Sequence, residues 1–185
     1  MDDMHDGMLS GFSGLFNGLT EAPSEADTVL RMQSGAQDLG FDKIMFAVIP
    51  QPKLNAAEVY MRSNYPAKWR EHYDRQNLRA ADPTVAFCFK ATSPFIWAPE
   101  SFKTPEQRAL HEEACAHGLK SGVTLPIHGA GGEIGMLTCV RDQAAGPEFM
   151  RDLARQLGSL TLLRDIAFDS LRKYMDVAPP GQDVP

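Results

Sequence analysis

The segment Asn64-Tyr65-Pro66-Ala67-Lys68-Trp69-Arg70-Glu71-His72-Tyr73, with Asp82-Pro83-Thr84 nine residues further on, gathers two phenols, an indole and a carboxylate in the middle of the chain. Phenol and indole groups donate hydrogen bonds and a carboxylate accepts them, so the set has the chemistry to hold a small polar head group. Pro66 suits the first turn of a helix, where its missing N–H costs nothing, and a helix starting there puts Trp69 and Tyr73 four residues apart on one face. Asp82 is a preferred N-cap and Pro83 a preferred first helical residue, which predicts a second helix start. Two helix starts then frame one pocket. Taken alone, Trp69 and Tyr73 at this spacing read as core packing, and Asp82 as a cap.

Catalytic chemistry finds less support. Cys88, Cys115 or Cys139 could pair with one of His72, His111, His117 and His128, but no local signature joins a thiol to an imidazole. His111 and His117 stand six apart and do not share a helix face, which argues against a hydrolytic metal centre. Buried free cysteines are the plainer reading. The chain is read as a binding module rather than an enzyme, with no metal and no cofactor.

Around the pocket, Met8, Phe12, Leu15, Phe16 and Leu19 follow helical spacing, and Pro23-Ser24 with Asp27 marks a helix whose apolar face runs through Val29, Met32, Ala36 and Leu39 to Gly40. Lys43 to Ile49 and Glu58 to Arg62 read as a hairpin-like strand pair. Ser93-Pro94 opens a loop through Trp97 and Pro99, and Thr104-Pro105-Glu106-Gln107 is a capping box that predicts a helix to about Ala116. Val123 to Ile127 and Ile134 to Val140 are strands joined by a glycine-rich turn. Phe149, Leu153, Leu157, Leu160, Leu163, Ala167 and Leu171 mark a long amphipathic helix from about Pro147 to Tyr174. Strands in adjacent pairs separated by helices predict an α/β (α+β) fold with a mainly antiparallel central sheet.

With 185 residues, 43% of them hydrophobic, the chain can bury one sizeable core. A net charge of −6 without a run of Lys and Arg argues against DNA binding by this chain itself. Three cysteines without Cys-x-x-Cys spacing indicate neither a disulfide framework nor a zinc site, and the expected compartment is the reducing cytoplasm. No stretch reaches membrane-spanning length. The expected organisation is an N-terminal helix with an acidic tip over 1–23, a domain over 24–176, and over 177–185 a Pro- and Gly-rich tail that reads as a linker cut short.

The run Asn64-Tyr65-Pro66, Trp69, Tyr73, Asp82-Pro83-Thr84, Trp97 and Gly122 resembles the autoinducer-binding domain of LuxR-type quorum-sensing regulators over roughly residues 28 to 170. Within that family it is most similar to one branch, which shares the string Trp69 to Arg75 and the Gly-x-x-x-Gly-x-Thr-x-Pro pattern seen at Gly118 to Pro126. The resemblance implies an α-β-α sandwich with an N-acyl-homoserine lactone between sheet and helices. It also implies homodimers, and DNA binding only through a helix-turn-helix domain that this chain does not contain.

By the same resemblance, Trp69 donates to the lactone carbonyl, Asp82 accepts from the amide N–H with Thr84 assisting, and Tyr65 and Thr138 donate to the amide carbonyl. Trp97, Phe102, Ala114 and Leu119 would line the head-group end. Tyr73, Val85, Met45, Ala47, Val59 and Met61 would line the tail, with Arg70 reaching a 3-oxo group through water. Thr138 stands where the related branch has serine and Phe102 where it has tyrosine. Phe89 and Met136 replace smaller residues, which shortens the cavity unless they turn away. The other readings are a sensor module of the same fold that binds a different small molecule, and a small-molecule hydrolase.

Overall fold

The computed structural model describes residue 14 and residues 18–50 and 59–175; the opening helix and the tail fall largely or wholly outside these. Helix α1 is Glu25–Asp38, capped by Ser24, whose hydroxyl accepts from the backbone N–H of Asp27. Gly40 takes a φ of +86°, and the chain reverses there with the N–H groups of Leu39 and Phe41 both donating to the Ala36 carbonyl. Strands β1 (Lys43–Ile49) and β2 (Tyr60–Ser63) pair antiparallel.

Helix α2 (Ala67–Arg75) begins one residue later than Pro66 predicts. Pro66 has an extended ψ of 130° and occupies the cap position instead of the first turn. A single 3-10 turn, Leu78–Ala80, leads to α3 (Pro83–Cys88), which Asp82 caps as expected. The stretch read as a loop contains a strand, β3 (Phe95–Trp97). The four residues between Pro94 and Pro99 are too few for alternation to register; β3 exists because β4 offers it an edge.

Helix α4 (Pro105–Ala116) carries the full capping box: Thr104 accepts from the Gln107 N–H at 3.2 Å and the Gln107 side chain from the Thr104 N–H at 3.4 Å. Thr104→Ala is expected to cost about 1 kcal/mol and lower the melting temperature by about 3 °C, read by thermal denaturation. Strands β4 (Ser121–His128) and β5 (Ile134–Arg141) precede α5 (Pro147–Met175).

The five strands form one fully antiparallel sheet in the order β2-β1-β5-β4-β3. Side-chain alternation divides its faces. Ile44, Phe46, Val48, Val123, Leu125, Leu137 and Cys139 point to one side, where Met32 and Ala36 of α1 and Phe149, Leu153, Leu160, Leu163 and Leu171 of α5 cover them. The α5 stripe is thus consumed by its own core. Met150 remains as the exposed large apolar residue of α5 among the described residues.

On the opposite face Met45, Ala47, Met136, Thr138, Val140, Gly122, Thr124 and Trp97 form a floor under α2, α3 and α4. A Cβ on Gly135 would collide with the Ala47 carbonyl and with Val48, so glycine is what lets β1 and β5 meet there. Helices on both faces of the sheet make the sandwich.

Candidate ligand-binding site

Between the floor and α2 and α3 lies a cavity of about 360 Å³. Two apolar clusters bound it. One holds Tyr65, Trp69, Trp97, Phe102, Leu110, Ala114 and Leu119; the other joins Ala47, Cys88 and Met136 with Met45, Val59, Met61 and Val85. The first is aromatic, the second aliphatic and sulfur-rich.

Asp82 is the polar centre. Its N-cap position is a local consequence of sequence, but the side chain is 8% exposed because α3 packs onto the sheet. One oxygen accepts from the Thr84 N–H at 2.9 Å and from the Thr84 hydroxyl at 2.7 Å; the other accepts from the Tyr73 hydroxyl at 2.9 Å. Burial pushes the carboxyl above the ordinary carboxylate range, and the hydrogen bonds from Thr84, Tyr73 and the Val85 backbone offset this only in part. Burial likewise raises the Tyr73 and Tyr65 phenols, which stay protonated donors at neutral pH.

Tyr65 is the unsatisfied member of the set. Its hydroxyl is buried and has no hydrogen-bond partner. A buried hydroxyl without a partner costs free energy, so its persistence points to an acceptor that a ligand supplies. Trp69 is held in an aromatic cage, with ring centroids 5.9 Å from Tyr73, 6.1 Å from His72 and 5.4 Å from His117. The Arg70 guanidinium lies 3.6 Å from the Met45 sulfur and 3.8 Å from the Asp74 carboxylate, at the cavity wall.

Of the residues expected at the site, Tyr65, Trp69, Arg70, Tyr73, Asp82, Val85, Met45, Ala47, Val59, Met61, Trp97 and Met136 border the cavity. Phe102, Ala114 and Leu119 do not. They form a supporting row: Phe102 stacks on His111 at 4.2 Å and meets Trp97 edge-on at 6.0 Å, while Ala114 and Leu119 are fully buried in the same cluster. Thr84 and Thr138 do not border it either: Thr84 acts through Asp82, and Thr138 lies fully buried in the floor, 3.0 Å from the Thr124 hydroxyl. Met136 is buried in the floor, whereas Phe89, 46% exposed, contributes to the wall while facing partly into solvent.

Sequence reasoning missed Leu110, Cys88, Asn77 and Arg79 as lining residues, along with Asp74 and the strand-end positions Val48, Ile49, Ile134 and Gly135. Leu110 was legible, because it lies four residues before Ala114 on one face of α4. Asn77 adopts a left-handed φ of 51°, which turns the chain between α2 and α3 and had no signal beyond asparagine's tolerance of that conformation.

Catalytic groups do not converge on the cavity. The thiol–imidazole contact among the described residues, Cys115 and His111 at 3.6 Å, lies on α4, and neither residue borders the cavity. Burial raises the Cys115 thiol, the reverse of activation, and pushes Cys88 up to about 12. Among the described residues no group of three or more His, Cys, Asp or Glu is placed to hold a metal ion, and no helix is long and apolar enough to cross a membrane.

Comparison with known proteins agrees with this architecture. The family model described as "Autoinducer binding domain" matches residues 24–171. The transcriptional activator VanR of Vibrio anguillarum is 34% identical over 100 residues, which is 54% of this chain and 42% of VanR. AnoR of Acinetobacter nosocomialis is 29% identical over 141 residues, covering 76% of this chain and 56% of AnoR. The quorum-sensing regulator RhlR of Pseudomonas aeruginosa is 26% identical over 149 residues, covering 80% and 61% respectively. The chain spans about half the length of these curated relatives.

Among solved structures, SdiA of Escherichia coli in complex with octanoyl-rac-glycerol superposes with a TM-score of 0.77 at 25% identity, covering 96% of this chain and 72% of SdiA. The N-acylhomoserine-lactone-dependent factor CepR2 of Burkholderia cenocepacia gives 0.76 at 20% identity over 91% of this chain and 98% of its own. The match over residues 24–171 takes in most of the chain, which belongs to the autoinducer binding domain family of LuxR-type regulators.

Proposed function

We propose that this chain binds an N-acyl-homoserine lactone in the cavity between α2, α3 and the sheet. The carrying observation is a complementary deficit at the head end. The buried Tyr65 hydroxyl lacks an acceptor, and Asp82 is a buried acceptor with no cation in its hydrogen-bond set. A secondary amide supplies both missing partners, its carbonyl to Tyr65 and its N–H to Asp82. Trp69 then faces the lactone carbonyl, and the acyl chain runs along Met45, Ala47, Val59, Met61, Val85 and Met136, with Arg70 within water-mediated reach of a 3-oxo group.

In the full-length regulator the occupied domain would be read out by homodimers and by DNA binding through a helix-turn-helix domain, in the cytoplasm and without turnover of the ligand. SdiA bound to octanoyl-rac-glycerol favours a second reading, an acyl compound with a different polar head.

Mass spectrometry of the ligand extracted from purified protein separates the readings. Intact lactone supports the proposal, a different acyl compound supports the second reading, and ring-opened product would restore the hydrolase. Tyr65→Phe adds a residue-level check. It removes one hydrogen bond to the ligand and one unsatisfied hydroxyl, so affinity should fall about fivefold while the ligand-free protein loses no stability. Unchanged affinity in a calorimetric titration would take Tyr65 out of the site.

A further inference from the structure

Trp97 borders the cavity, and its indole N–H is committed to the floor: it donates to the Thr124 hydroxyl at 2.9 Å. Thr124 in turn lies 3.0 Å from the Thr138 hydroxyl, across the β4–β5 pair where the two residues are register partners. Both threonines are 0% exposed. Thr138 stands on the floor between Met136, at the tail end of the cavity, and Val140, in the aromatic cluster at its head.

An indole N–H can only donate, so Thr124 is committed as its acceptor. Thr124 has one proton, and the Thr138 oxygen is the remaining hydroxyl partner that the described residues offer it. If Thr124 donates to Thr138, the proton of Thr138 is free for an acceptor above the floor. If Thr138 donates to Thr124 instead, the Thr124 proton is stranded in a site without solvent. A ligand carbonyl over the floor makes the first orientation the one that satisfies all three groups.

We infer that Trp97, Thr124 and Thr138 form a directed hydrogen-bond relay, in which Thr124 is a positioning residue that aims the Thr138 proton at the amide carbonyl of the ligand. This rests on the lactone reading of the cavity. Thr124 does not touch the ligand; it sets which way Thr138 donates. Selectivity for acyl compounds with a carbonyl next to the head group follows from the relay, because a ligand without that acceptor leaves it unsatisfied.

Calorimetric titration of the 185-residue chain tests this with two probes, an N-acyl-homoserine lactone and the N-alkyl analogue in which the amide carbonyl is reduced to methylene. Thr124→Val should weaken the acyl compound about tenfold and leave the affinity of the alkyl analogue unchanged. Thr124→Ser should restore the acyl affinity, and the double variant Thr124→Val/Thr138→Val should bind no more weakly than Thr138→Val alone. If Thr124→Val does not fold, Thr124→Ala replaces it in the same comparison. Equal losses on both probes, additive losses in the double variant, or acyl affinity equal to the parent's would overturn the relay. A parent that binds the acyl compound normally while Thr124→Val is silent removes the relay alone; a parent that binds no lactone removes the reading of the cavity and the relay with it.

Discussion

Asp82→Asn is expected to weaken lactone binding ten- to hundredfold while making the ligand-free protein more stable at neutral pH. Asparagine keeps the volume and a side-chain oxygen at the cap, so α3 should form as before. What disappears is the anionic acceptor for the ligand amide. A hydrogen bond to a charged group contributes about 1.5–3 kcal/mol, which is the stated range of affinity.

The stability gain has a pH signature. The Asp82 carboxyl is raised on folding by burial, so it favours the folded state while protonated, and that contribution is lost as pH rises through its folded-state value. The ligand-free parent should therefore lose stability relative to Asp82→Asn as pH rises from the ordinary carboxylate range through the raised folded-state value, and the two should coincide at lower pH. Binding runs the other way. The ligand N–H favours the ionised carboxylate, so lactone affinity of the parent should fall as pH drops, and that of the variant should not. Melting temperatures and titrations across this range check both signs. Asp82→Ala removes the cap as well and is expected to cost about 1 kcal/mol more stability than the Asn variant.

Saturating ligand is expected to raise the melting temperature by roughly 5–10 °C. At a hundredfold excess over the dissociation constant, linkage contributes about 2.7 kcal/mol, and a domain of this size shifts by about 2–4 °C per kcal/mol. The structural cause is local. Without a ligand the Tyr65 hydroxyl is unpaired and the Asp82 carboxyl is buried without a cationic partner, both beside an apolar wall. At the same lactone concentration Asp82→Asn should gain only about 0.4–1.4 kcal/mol, in proportion to its weaker binding. Equal melting temperatures with and without lactone would sink the coupling, and soluble yield during expression offers the same comparison in cells.

Much of the fold was legible because its signals are short-range. Caps and prolines at Ser24, Asp82-Pro83 and Thr104-Pro105 mark helix starts from residues within one turn. The strand at Lys43–Ile49 and the helix at Pro105–Ala116 appear with the expected bounds. Where local signals compete with tertiary pairing, the reading failed. Phe95–Trp97 is a strand because β4 has an open edge beside it, and its three residues carry no period of their own. The apolar stripe on α5 is legible from its period, and the structure packs it on the sheet.

For the site, residue types and spacing determined that Trp69 and Tyr73 share one helix face and that Asp82 caps the next helix, since caps and the i to i+4 relation are properties of the helix itself. Only the tertiary structure decided depth and order. Phe102, Ala114 and Leu119 stand in a supporting row because the packing of α4 against the sheet, a long-range contact, puts them there. Thr124 meets Thr138 because β4 and β5 pair in one register, and a shift of one residue would turn every side chain on β5 to the other face. The pairing of buried hydroxyls is a matter of which strands lie side by side. No local sequence pattern carries that information, because the residues that must meet are brought together by closure of the sheet.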